Sequence, residues 1–194
     1  MLIAAEVSEY ASLYLNDERI IALERFLAGY GQANAGAAPT IAMLRGEKTS
    51  NTMLGAEYIS GRDPGDITAR LLELARGAED VVSSAGSYAR VISFDLVVEA
   101  VDSSRPSMYF GDACLGSAVH FLDGVRSGQR AVDAAFAEHH EKVIAAFECW
   151  LARECGIAGN PRWWRVARLY GDGAIESLRV IRDQWLEYCK APSS

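Results

Sequence analysis

Along nearly all of this chain apolar residues recur at intervals of three and four, while short alternating runs bounded by turn residues are scarce. An α-helix returns to the same face about every 3.6 residues, so this spacing builds one apolar stripe after another for burial against neighbouring helices. A β-sheet needs a period of two, which the chain rarely supplies. The expectation is an all-α fold of about eight helices.

Ile3, Val7, Tyr10, Tyr14 and Leu15 form a first stripe, and Asn16 or Asp17 can cap a second helix through Tyr30. Residues 31–39, rich in Gly and Ala, continue that helix or open into a loop. Helices follow over residues 40–45 and 51–59, then the breaker Ser60-Gly61-Arg62-Asp63-Pro64-Gly65. Asp66 caps a helix through Ala75, and the pattern resumes from Val81 through Tyr88 and Leu96 to Val101. Gly77 and Gly86 each cost about 1 kcal/mol against alanine, so one helix or two fits equally well. Arg105-Pro106 ends it. Helices are then expected over residues 108–124, 129–154, 163–170 and 174–189. No linker or internal repeat interrupts this, and 194 residues suit one domain: residues 1–30 as an N-terminal helical hairpin, residues 31–194 as the core with C-terminal helices.

A formal charge of −7, from 26 acidic against 19 basic residues, disfavours nucleic acid as a partner, since phosphate binding rests on clustered Lys and Arg. Glu6 and Glu9 break the apolar start before a signal-peptide core forms, and no run of about 18 apolar residues exists. The expectation is a cytoplasmic protein with no membrane contact. Cys114, Cys149, Cys155 and Cys189 lack zinc-site spacing and read as buried, inert thiols.

Two signatures carry a family resemblance. One runs from Glu9-Tyr10 through Tyr14-Leu15 to Phe26 and Gly29; the other is Tyr88-Ala89-Arg90-Val91-Ile92-Ser93-Phe94-Asp95-Leu96-Val97. Together they resemble the phycobilisome proteins, globin-like light-harvesting subunits that carry linear tetrapyrroles. The likeness covers about residues 5–147, more loosely 174–188, and implies a globin-like fold of the phycobiliprotein type with an N-terminal hairpin. It also implies a dimer in which Glu9 meets a partner's Arg90, with Tyr14 and Phe94 as the apolar contact beside them.

The family attaches its pigment through a cysteine, followed within one turn by an arginine and an aspartate; here these positions read Val81, Ser83 and Ser84. A thiol must add to the bilin, and none stands there, so covalent attachment at that site is not expected. The chain is more similar to the non-antenna, bilin-biosynthesis-associated globins. That implies non-covalent binding of a bilin such as biliverdin at Val81, Ser83 and Ser84, or a contact with a bilin-pathway enzyme.

His120, His139 and His140 are the histidines, none in the segment that would supply a proximal haem ligand, so haem is not expected. Glu138-His139-His140-Glu141 groups imidazoles with carboxylates, but adjacent helical residues point about 100° apart, and the cluster reads as a solvated helix face with no metal. Arg162, Trp163 and Arg165, within Pro161-Arg162-Trp163-Trp164-Arg165-Val166-Ala167-Arg168, could take a tetrapyrrole's propionates and stack on its rings; equally, the tryptophans could cap the core while the arginines reach water. No nucleophile–base signature, P-loop or dinucleotide fingerprint appears. The reading is a non-enzymatic, phycobilisome-like globin. Its rival is an acidic helical protein-binding module, such as an inhibitor or immunity protein, with no small-molecule ligand; an enzyme using His139 and His140 stands third.

Overall fold

In the computed structural model, residues 20–34, 90–111, 113–159 and 161–191 are described. Among them the fold is all-α, with seven helices and no strand: α1 (Ile20–Ala33), α2 (Ser93–Asp102), α3 (Pro106–Phe110), α4 (Leu115–Val132), α5 (Ala134–Glu154), α6 (Trp163–Tyr170) and α7 (Ala174–Lys190). No helix among the described residues is long and apolar enough to cross a membrane. Two compact units are distinguished, Met1–Ala89 with His120–Val132, and Arg90–Val119 with Asp133–Ser194.

In the first unit α1 and the greater part of α4 meet through glycines. A methyl group at Gly29 would overlap the Phe121 carbonyl, one at Gly124 the Phe26 carbonyl, and one at Gly128 the Tyr30 carbonyl. Absent side chains let the two backbones lie in direct contact at this crossing. Phe26, Leu27, Tyr30, Phe121, Leu122 and Val125 are buried around them.

The second unit is organised on α5. Asp133 caps it, Oδ1 accepting the Phe136 N–H at 3.0 Å. Its buried face runs Ala137, His140, Ile144, Phe147, Glu148 and Leu151, the three-and-four rhythm of one stripe. α7 packs against α2, α5 and α6, burying Leu178, Ile181 and Trp185. The centre is aromatic: Phe94 lies 4.8 Å from Phe147, 5.3 Å from Trp163 and 5.1 Å from Trp185 between ring centroids, mostly edge-to-face or tilted. The Trp185 indole N–H donates to Asp95 Oδ1 at 2.9 Å, so the ring's polar edge is satisfied where it leaves the core.

Several boundaries differ from the sequence expectation. The helix expected through Tyr88 begins, among the described residues, at Ser93; Ile92 is extended at φ −74°, ψ 134°, so Arg90 precedes the helix instead of lying on it. Pro106 opens a separate one-and-a-half-turn helix that Gly111 closes at φ 80°, a left-handed conformation natural to glycine. The next break falls at Asp133 rather than near Gln129, because Gly124 and Gly128 serve the crossing with α1 and do not end the helix. The segments expected over residues 163–170 and 174–189 appear as α6 and α7.

Candidate functional site

α5 supplies acceptors to two other helices whose N-termini carry no side-chain cap of their own. His140, 1% exposed, presents Nε2 to the Ser93 backbone N–H at 2.9 Å and to Ser93 Oγ at the same distance, at the start of α2. Glu148, two helical turns further along, presents Oε1 to the Trp163 N–H at 3.1 Å at the start of α6, while its Oε2 lies 3.7 Å from Arg162. The first N–H groups of a helix lack an internal partner, and a buried one left unserved is costly. These two polar residues therefore fix where α2 and α6 begin.

α6 carries a short buried stripe, Trp163, Val166 and Ala167, at spacing one, four and five. At about 100° per residue this stripe sends Trp164, Arg165, Arg168 and Leu169 to the opposite side. Arg165 and Arg168 are exposed there, Leu169 is 73% exposed, and the Arg165 guanidinium lies 5.2 Å from the Trp164 ring centroid. The result is a ridge on which two arginines stand between two apolar side chains. Neither arginine has a carboxylate partner among the described residues.

Of the residues singled out from sequence, Val81, Ser83, Ser84, Glu9 and Tyr14 lie outside the described residues. Trp163, at 6% exposure, belongs to the core, while its neighbour Trp164 is the half-exposed ring of the pair. Arg162 leans on Glu148, and Arg165 belongs to the ridge. Phe94, at 1% exposure, is enclosed by the aromatic centre of its own unit. Arg90 donates to Asp133 of its own chain at 2.6 Å. Sequence reasoning named Arg168 only within the aromatic–arginine segment and passed over Leu169, although the stripe Trp163, Val166, Ala167 placed both outward.

The group at residues 138–141 is not uniformly solvated. Glu138 is exposed and paired with Lys142 at 2.7 Å, a hydrogen bond that holds its carboxyl below the usual range, and His139 is exposed, but His140 is buried. Among the described residues no group of three or more His, Cys, Asp and Glu side chains is placed to hold a metal. The cysteines also differ from expectation: Cys114 and Cys155 are half-buried and Cys149 and Cys189 exposed, none of the four joined in a disulfide. Partial burial, then the nearby Asp95 carboxylate, pushes the Cys189 thiol up from its ordinary value. Cys155 lines an open groove of about 540 Å³ with Trp150, Glu154, Gln184, Glu187 and Lys190, where Lys190 already pairs with Glu187 at 2.8 Å.

No protein-family model, curated protein or solved structure matches this chain. Its candidate site is therefore read from its own chemistry.

Proposed function

We propose that this chain is a helical protein-binding module, without catalysis of its own, whose contact surface is the exposed side of α6. The observation that carries this reading is the ridge itself: Leu169 stands 73% exposed beside Arg165 and Arg168, and neither arginine is neutralised by a carboxylate among the described residues. Protein interfaces favour arginine and aromatic residues near their centres, where a planar guanidinium brings both hydrogen bonds and stacking area. The ridge is also held rigidly from behind, by Trp163, Val166 and Ala167 in the core and by the Glu148 carboxylate at its first turn. A surface already ordered before contact loses little conformational freedom on binding.

Site-specific photo-crosslinking from position 169, in cells that make the protein naturally, tests this. A discrete protein adduct that disappears with R165E/R168E is the expected result; the absence of any adduct, or one indifferent to those charges, would overturn it. Biliverdin is the comparison ligand, since a linear tetrapyrrole also carries carboxylates. A shift and sharpening of its long-wavelength absorbance that required Arg165 and Arg168 would assign the ridge to pigment instead of protein.

A further inference from the structure

We propose that the α6 ridge receives an acidic peptide segment of its partner, one presenting two carboxylates about a helical turn apart with an apolar side chain beside them; this rests on the protein-binding reading above. The chain holds seven more acidic than basic residues, so carboxylates are plentiful, and among the described residues several exposed cations lie against one. Arg90, Lys142, Arg179 and Lys190 each lie 2.6–2.8 Å from a carboxylate oxygen. Arg165 and Arg168 have no such partner among the described residues, although they stand side by side at a spacing of three residues, about 4.5 Å along the helix. A guanidinium accepts a carboxylate through two parallel N–H···O bonds, and two guanidinia at this separation match two carboxylates three or four residues apart on a facing helix. Trp164 and Leu169 flank the pair, so the same segment can lay an apolar side chain on either end of the ridge.

The charge of the whole molecule selects among anionic partners. A nucleic acid or an anionic membrane brings a long array of charge, which a chain of net charge −7 repels beyond the few residues of the ridge. A short acidic segment keeps the attraction and avoids most of that repulsion, because its few charges lie within a screening length of the two arginines.

The probe is a fluorescein-labelled helical peptide with Glu at two positions four residues apart and a neighbouring Leu, titrated with the full chain at low and at moderate salt and followed by anisotropy. Binding that weakens about tenfold or more with R165E/R168E, and to a similar degree when the peptide's Glu residues become Gln, is expected. Lys in place of those Glu residues should restore part of the binding to R165E/R168E. Circular dichroism establishes that the variant remains folded, as substitution of two exposed side chains should leave it. Peptide affinity indifferent to the arginines, or tighter binding of a single-stranded oligonucleotide of equal charge, would overturn the proposal. If the crosslinked adduct in cells survives while the peptide fails, the acidic partner is wrong and the binding surface stands; if the adduct is missing too, the protein-binding reading fails with it.

Discussion

The imidazole of His140 on α5 takes the backbone N–H of Ser93, the first residue of α2, at 2.9 Å. Because that N–H donates, Nε2 carries the lone pair and the ring proton sits on Nδ1. A core residue 47 positions away thus does what an N-cap side chain ordinarily does. Replacing it with leucine leaves the donor buried and unserved, which should lower stability by about 1–3 kcal/mol. His140→Gln, whose amide oxygen can accept the same bond, should lose less, and Ser93→Ala should lose less than His140→Leu, since the backbone bond survives it. Urea unfolding of the three variants would settle this; equal losses for Leu and Gln would show that packing, not the acceptor, sets the role of His140.

Glu148 repeats the arrangement for α6, and its effect should be local as well as global. Glu148→Leu removes the acceptor of the Trp163 N–H and the carboxylate beside Arg162, so the first turn of α6 should open more often. Trypsin should then cut after Arg162 and Arg165 several-fold faster than in the parent chain, with Glu148→Gln between the two. Unchanged cleavage at those bonds would mean that Trp163, Val166 and Ala167 alone hold the helix.

The two residues show where sequence reading stops. The stripes that bury Leu178, Ile181 and Trp185 on α7, and Trp163, Val166 and Ala167 on α6, follow from three-and-four spacing, and both segments stand where that spacing puts them. His140 and Glu148 are polar residues on a face whose other members are apolar, and nothing local distinguishes them from solvated neighbours such as His139. Their burial depends on donors contributed by Ser93 and Trp163, which are close in space and distant in sequence. Trp163 and Trp164 are alike in composition, yet one is core and the other surface; the helical angle between them separates the two readings that composition left open. Gly124 and Gly128 pose a similar problem, because a glycine that ends a helix and one that admits another backbone look the same until the partner is known.

That ambiguity yields a pair of substitutions of opposite sign. Alanine is the better helix former by about 1 kcal/mol, so at an unobstructed helical glycine it should stabilise. Gly116 is such a site: an added methyl would meet only the Cys114 sulfur, at 3.9 Å. Gly116→Ala should therefore raise stability by about 0.5–1 kcal/mol. At Gly124 the same methyl would run into the Phe26 carbonyl, backbone that cannot swing aside. Gly124→Ala should lower stability by about 1–3 kcal/mol despite its gain in propensity. Thermal unfolding of both variants provides the measurement, and a stabilised Gly124→Ala would refute the close approach of α1 and α4.

Phe94 offers the sharpest choice between a residue that holds the fold and one that holds two chains together. Its ring is 1% exposed and meets Phe147, Trp163 and Trp185 within 4.8–5.3 Å, so truncation opens a hole among aromatic rings that are themselves braced by α5, α6 and α7. Phe94→Ala should cost about 3–5 kcal/mol of folding stability, enough to threaten a domain of ordinary marginal stability. Trp164→Ala, on the outer side of α6, should change stability by only about 0.5 kcal/mol. Sedimentation across a concentration series should show Phe94→Ala altering association no more than its unfolded fraction explains. A variant that keeps its unfolding midpoint while losing self-association would instead place Phe94 in an interface between chains and reverse the assignment made from its burial.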